Sequence, residues 1–338
     1  MTRARAFAEP LVATAVALAL AGALLALLGA DPVAALRALA GGAFGDSLAL
    51  ETTAVRAGPL ALLGLGVALS FRCGIWNIGG GGQLAAGALA ATAFATKSAS
   101  DWPGALALPL ALLAGAAAGA LWAALAAALR VYRNVSEVLS TILLNFVALE
   151  LVAWAVQGPL QEASRSYPQS DALPAAARLA LFPGAHIAHV GLLLAAALPF
   201  AVWALLFRTA AGLRLRAVGF NPDAARYAAV SPELETARVL VLSGALAGLA
   251  GAIEVCGVTG RLFADPAGGY GFTAIAVALL ARLHPLGVLP ASLVFAALAA
   301  GGGAMQRSAA VPSVVVQVIE ALVILFSIGF ALPRREGA

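Results

Sequence analysis

Four consecutive glycines, Gly79 to Gly82, stand between two amides, Asn77 and Gln83, just after an indole, Trp76. Each amide offers a hydrogen-bond donor and an acceptor, and the indole offers an aromatic face. Those are the groups a neutral polar solute needs. The glycines disfavour helix, each by about 1 kcal/mol relative to alanine. The apolar run that follows, Leu84 to Thr96, spans roughly 20 Å as a helix, short of the roughly 30 Å of membrane hydrocarbon. Backbone left free of the helical ladder survives at membrane depth only where protein or a watery cavity satisfies it. This segment is therefore the first candidate for a solute path. Its plainer reading is that the glycines only let helices approach closely.

Three carboxylates, Glu150, Glu254 and Glu320, stand inside apolar stretches. Ionisable groups there are functional candidates by default. They carry protons in an ion-coupled transporter, or they make polar contacts between helices. Other chemistry is hard to find. Lys97 is the only lysine, and no Gly-x-x-x-x-Gly-Lys-Ser/Thr phosphate loop precedes it. HExxH and CxxC spacings are missing too, so a membrane enzyme has little support. His186, His189 and His284 read as polar interface residues. Cys73 and Cys256 read as free, small packing residues.

The elements that must hold these groups follow from composition. The 338 residues are 62% hydrophobic and 11% charged, with a mean hydropathy of +0.96. A soluble domain carries about 25% charged residues. The chain reads as an all-α, polytopic integral membrane protein, a single unit over 1–338. Ten spans are predicted at 10–29, 57–71, 83–96, 104–129, 138–157, 187–207, 235–257, 271–282, 286–303 and 313–332. The basic stretch Thr2 to Glu9 leading into the first span reads as a signal-anchor. With the N-terminus in the cytoplasm, 13 of the 20 basic residues fall in inside loops. That bias supports cytoplasmic N and C termini, and it explains the net charge of +4 without nucleic acid. Outside loops are expected at about 31–56 and 158–186, with a short interfacial helix within Ala172–Leu181.

The two halves are weakly related. Span 57–71, the glycine break and Leu84–Thr96 have a counterpart in span 235–257, Asp265-Pro-Ala-Gly-Gly-Tyr-Gly271 and the short Phe272–Ala281. The two units run in opposite orientations, as inverted repeats. Paired, glycine-interrupted segments are the best sequence pointer to a transporter's substrate site. Both short half-helices are expected to point their N-terminal ends at a shared cavity.

The main inside loop, Arg208 to Arg238, holds a further short helix. Asn221 suits an N-cap, Pro222 the first helical position and Asp223 the positive helix start. A capped helix over Pro222–Val230, with Tyr227 and Val230 exposed, is more than a linker needs. It reads as a dock for a cytoplasmic partner.

Four motifs now carry a resemblance. Gly74-Ile-Trp-Asn-Ile-Gly-Gly-Gly-Gly-Gln83 and Ser136-Glu-Val-Leu-Ser-Thr-Ile-Leu-Leu-Asn-Phe146 resemble signatures of the permeases of ABC importers for nucleosides and simple sugars. Leu215 to Ala228 is similar to that family's coupling segment. Gly269 to Leu280, with His284 to Gly287 and Ala300 to Gln306, resembles its last third. The likeness runs from about Glu51 to Phe330, within the branched-chain amino acid and ribose permease superfamily. It implies an inner-membrane permease that binds no cofactor itself, with ATP and magnesium held by a partner ATPase. It implies a second, related permease chain and a substrate-binding lipoprotein outside. The substrate path would use Trp76, Asn77, Gly80, Gly81, Gln83, Asn145, Tyr270 and Phe272. Coupling to the ATPase would use Gly219, Asn221, Pro222, Ala225, Arg226 and Tyr227. Gly81 stands where the family usually has Glu, and Trp76 where it has Phe, which leaves the role of that carboxylate open. The alternatives are an ion-coupled transporter acting alone, or a sugar or branched-chain amino acid permease.

Overall fold

The computed structural model describes residues 31–98 and 102–309, with scattered residues between 16 and 29 and between 311 and 326. The expected spans 10–29 and 313–332 lie largely outside the described residues, and Glu320 wholly so. The described chain is helical: α1 Pro32–Phe44, α2 Ser47–Arg72, α3 Gly80–Lys97, α4 Gly104–Arg133, α5 Glu137–Gln157, α6 Gly191–Arg208, α7 Ala210–Phe220, α8 Pro222–Tyr227, α9 Pro232–Glu254, α10 Tyr270–Leu280 and α11 Pro285–Ser308. A π-helical turn, Val255–Thr259, extends α9. Among the described residues, six of these helices are long and apolar enough to cross a membrane: α2, α4, α5, α6, α9 with its turn, and α11. The chain is a multi-pass membrane protein.

Burial sorts these spans. The apolar stretches of α2 and α9 are 83% and 72% buried, while those of α4, α5 and α6 are 33%, 28% and 28% buried. So α2 and α9 form the centre, and the outer helices turn Leu121, Leu125, Leu143, Phe146, Trp154 and Leu193 outwards. An apolar surface of that extent is suited to lipid or to another chain.

The centre is held by backbones in contact. Added to Gly87 of α3, a Cβ would lie 2.2 Å from the Gly248 carbonyl oxygen of α9. On Gly248 it would lie 2.2 Å from the Gly115 oxygen of α4, and on Gly119 2.3 Å from the Gly244 oxygen. Lipid gives helices no hydrophobic reason to associate, so close packing of small residues has to supply it.

Two expectations are corrected. Residues 31–56, read as a loop, are α1 and the first turns of α2. The Asp31 carboxylate accepts from the Val33 and Ala34 N–H groups at 2.9 and 3.2 Å, with Pro32 at the first position, and Asp46 accepts from Ala49 at 2.7 Å. These are ordinary N-caps. Gly42 and Gly301 then let α1 pack tightly on α11. The interfacial helix expected within Ala172–Leu181 is only a 3-10 turn, Ala175–Ala177. Its neighbours pair with the chain after α9 instead, through Ser170 N–H to Leu262 and Leu173 N–H to Gly260, both at 2.9 Å.

Each end of the bundle is tied. At one end Arg72 Nε donates to the Leu283 carbonyl at 2.6 Å, and buried Glu235 takes Arg238 at 2.6 Å and Arg214 at 3.3 Å. At the other, Glu51 Oε2 accepts from the backbone N–H groups of His186, Ile187 and Ala188 at 2.8, 2.8 and 3.1 Å. Nearby, Glu162 accepts from Gln169 and Ser164 at 2.7 Å and from Arg261 at 3.1 Å.

Two predictions follow from this packing. Gly248→Leu overfills the seam and is expected to lose about 1–3 kcal/mol of stability. Gly41→Ala, where an added Cβ meets nothing within 4 Å inside α1, costs nothing and gains up to about 1 kcal/mol of helix propensity. A thiol-reactive dye that reports exposure of the buried Cys73 and Cys256 on heating reads both variants. For Glu162, the Gln169 amide, with Ser164 and the other donors, holds the carboxyl below its ordinary value. A depressed carboxyl stabilises above the ordinary carboxylate range, and that contribution disappears as the pH falls through the lowered value. Proteolytic cleavage within residues 160–172 therefore rises on acidification in that window, and Glu162→Gln removes the pH dependence.

Candidate functional site

The residues read as one solute site occupy three places. The first is a polar knot at the chain break. The ladder of α2 ends at Cys73, and Gly74 adopts a φ of +77°, a value that favours glycine. Asn77 and Gln83 are each 1% exposed, and their amides exchange both hydrogen bonds at 3.1 Å. Asn77 Nδ2 also donates to Ser243 Oγ of α9 at 2.8 Å, and its Oδ1 accepts from the Gly79 N–H at 2.9 Å. Asn145 of α5 grips the break from the other side. Its Oδ1 accepts from the Gly82 N–H at 2.7 Å and its Nδ2 donates to the Ile78 carbonyl at 2.9 Å. Protein rather than a watery cavity thus satisfies this stretch of backbone.

The glycines are in the helix, which corrects the reading of Leu84 as its beginning. Gly80, Gly81 and Gly82 form the first turn of α3, whose 18 residues make about 27 Å. First-turn N–H groups have no intrahelical partner, so helix propensity counts for less there, and Asn145 serves as a cap from another helix. Missing side chains are needed. A Cβ on Gly82 would lie 2.8 Å from Asn145 Cα, and one on Gly271 would lie 2.5 Å from the Gly81 nitrogen. The start of α10, only 11 residues long, therefore abuts the start of α3.

The second place is a cavity of about 670 Å³ between α2, the α9 turn, the segment before α10, and α11. That volume suits a small solute. Its lining includes Arg56, Glu254, Asp265, Tyr270, Thr273 and Gln306. Of the residues expected on a solute path, Tyr270 lines it. Phe272 is 64% exposed, and Trp76 is 52% exposed with its ring 4.5 Å from that of Phe71, near the other end. Arg56 was missed as a site residue because it was counted among loop charges. The Asp46-Ser47 cap signal would have placed it inside α2.

The third place is the surface helix α8. Asn221 Oδ1 accepts from the Asp223 and Ala224 N–H groups, both at 3.0 Å, and Pro222 holds the first position. Gly219 lies against the end of α2, where a Cβ would be 1.9 Å from the Arg72 carbonyl oxygen. Ala225 is buried beneath the helix, Arg226 pairs with Glu233, and Tyr227 is 96% exposed. The helix is shorter than expected, because Ala229 turns left-handed at φ +58°. Val230 packs partly buried against the core instead of standing out. Glu150 belongs to none of these places. It is exposed on the outer face of α5, beside Phe146, Leu151 and Trp154.

A bundle with lipid-type outer faces, a cavity between its helices and a capped helix held out at the basic end is a membrane permease in form. The chain belongs to the family of permease components of branched-chain amino acid transport systems, whose model matches residues 49–328. It is 39% identical to the glucose ABC transporter permease of Haloferax volcanii, over 96% of this chain and 87% of that one. Identity to the guanosine ABC transporter permease of Bacillus subtilis is 37%, over 94% and 91% of the two chains. A nucleoside ABC transporter permease of Lactococcus lactis is 29% identical, over 94% and 89%. No solved structure matches the chain. The family resemblance drawn from the four motifs is borne out, and the chain is an ABC transporter permease.

The polar knot makes a direct prediction. Asn145→Leu strands the Gly82 N–H and the Ile78 carbonyl away from water, at about 1–3 kcal/mol for each unsatisfied group. The thermal midpoint of the solubilised protein falls, whereas Asn145→Asp, which keeps the acceptor for Gly82, falls less.

Proposed function

We propose that this chain is the transmembrane permease subunit of an ATP-driven importer of a nucleoside, glucose or a similar small polar solute. The observation that carries this reading is near-full-length similarity to permeases named for glucose and guanosine. The reading of ten spans takes the six long helices, the shorter α3 and α10, and the two apolar stretches of the sequence at 10–29 and 313–332. The abutting starts of α3 and α10 support an inverted-repeat plan. The basic end carrying α8 lies in the cytoplasm, with both termini, in the bacterial inner membrane.

A partner ATPase, holding ATP and magnesium, grips α8. Gly219 and buried Ala225 seat the helix on the bundle, and the Asn221 cap with Pro222 keeps it formed. Arg226 and the exposed Tyr227 meet the partner. Nucleotide binding then biases the permease between two access states, as a ligand with differential affinity must. A second, related permease chain covers the outer face of α5, since a carboxylate such as Glu150 is costly to leave against lipid. A substrate-binding lipoprotein delivers solute at the opposite end. Asn77, Gly80, Gly81, Gln83 and Asn145 fix the break that borders the path, while Tyr270, Trp76 and Phe272 offer aromatic faces to the solute.

Co-purification tests the class. The chain is expected to bring down an ATPase with two nucleotide-binding domains. Tyr227→Glu should abolish that association and solute uptake while leaving membrane insertion and thermal midpoint unchanged. Uptake by the chain alone, with no ATPase recovered, would overturn the proposal.

A further inference from the structure

Three basic side chains gather on Phe207, in the last turn of α6. The guanidinium carbons of Arg72 and Arg216 lie 5.2 and 5.1 Å from its ring centroid, and the His284 imidazole stacks on it at 5.6 Å. The end of α2, the end of α6, α7 and the turn before α11 meet at this point. Cation–π contacts hold both guanidinium groups in place. They also keep them within about 10 Å of one another, close enough for like charges to repel. Arg72, Arg216 and His284 are half-buried, so water screens them only in part.

The charge is not answered locally. At the same end Arg130 pairs with Glu137, Arg214 and Arg238 with Glu235, and Arg226 with Glu233. Arg72 and Arg216 have no carboxylate partner among the described residues. The terminal stretches 1–15 and 327–338 bring no net negative charge either, since they hold four arginines and two glutamates. The cluster is also braced. Arg72 Nε donates to the Leu283 carbonyl at 2.6 Å, which leaves its two terminal amino groups for another acceptor. Arg282 and Leu283 stand at φ +51° and +56°, a conformation that costs free energy outside glycine and gathers at ligand clamps. His284 is the N-cap of α11 and offers no side-chain cap, so the positive end of that helix begins beside the arginines. Burial, and then the Arg72 charge, hold the His284 imidazole below its ordinary value.

Depth points to the ligand. Next to Phe207 on α6, the Arg208 guanidinium lies over the Trp203 ring at 5.1 Å. Tryptophan and arginine at a helix end are anchors at the level of lipid headgroups. The apolar stretch of α6 is only 28% buried, so this helix faces outwards. We infer that Arg72, Arg216 and His284 form a binding site for the phosphate of an anionic phospholipid, in the leaflet at the basic end of the bundle. Guanidinium groups take phosphate oxygens through paired N–H donors, and basic pockets between membrane helices suit anionic headgroups. The bound lipid offsets the repulsion and ties α2, α6, α7 and α11 together at one point. Such a site is independent of the solute the chain carries.

The test is native mass spectrometry of the full-length chain in detergent, titrated with phosphatidylglycerol or with phosphatidylcholine, whose phosphate is masked by a cationic headgroup. Phosphatidylglycerol should bind saturably and the more tightly of the two. Arg72→Gln and Arg216→Gln should each weaken it about fivefold. Arg216→Lys keeps the charge and should weaken it less. Arg216 lies on the short surface helix α7, so its variants decide the matter if the Arg72 variant fails to fold. Arg133→Gln removes one charge at the end of α4, outside the cluster, and should change nothing. Equal affinity for the two lipids, or for phosphatidylglycerol in wild type and Arg216→Gln, overturns the inference. So does an Arg133→Gln loss as large as that of Arg216→Gln, which would mean a diffuse basic surface. Displacement of the lipid by millimolar inorganic phosphate assigns the site to the free ion instead. Lipid binding that appears only in Glu336→Gln gives the site to the chain's own tail. Normal lipid binding by an Arg216→Gln chain that no longer co-purifies with an ATPase gives the cluster to that partner. Each of these three also overturns the lipid assignment.

Discussion

Peptide groups released from a helix inside a membrane must find partners in protein or in a watery cavity, and the architecture turns on meeting that constraint with protein. Between Cys73 and Gly79 the chain leaves the ladder of α2 before α3 begins. Asn145 reaches in from α5 to hold Gly82 and Ile78, Thr141 meets the Ile78 N–H at 3.3 Å, and Asn77 caps Gly79. Ser243 binds the same cluster to α9. Three helices are thereby fixed in register to a single irregular stretch. Glycine contacts do the rest, since α3, α4 and α9 approach closely enough for backbones to touch at Gly87, Gly119 and Gly248.

This arrangement separates the packed polar knot from the cavity. Amides at Asn77 and Gln83 saturate one another, so they have little left to offer a passing molecule. Glu254 and Tyr270 line the cavity instead. An amide pair and a carboxylate are equally polar in a sequence. They are told apart only by where the fold places each.

Much of the fold was legible. Apolar run lengths located the membrane helices from 57 to 303 within a few residues, and Asn221-Pro222-Asp223 placed the surface helix through cap chemistry alone; α7, Ala210–Phe220, too short and too basic to stand out as an apolar run, falls in the stretch read as loop. The same chemistry at Asp31-Pro32 and Asp46-Ser47 was present and outweighed by polar composition, so α1 and the start of α2 were read as loop. Gly80–Gly82 misled because helix propensity is measured in water, whereas a first turn capped by a distant Asn145 answers to tertiary contacts. That Asn77, Gln83 and Asn145 belong together was legible from their types and motifs. That they lock each other was not, because a hydrogen bond between residues 63 to 67 apart has no local signature.

The clasp at Glu51 has an implication for biosynthesis. Its backbone partners, His186 to Ala188, lie 135 to 137 residues downstream. At about 5–20 residues per second, a ribosome needs on the order of ten seconds to deliver them. Throughout that interval the newly inserted first helices carry an unanswered carboxylate near the bilayer edge. Insertion of the first helices and closure of this clasp are therefore separate events in time.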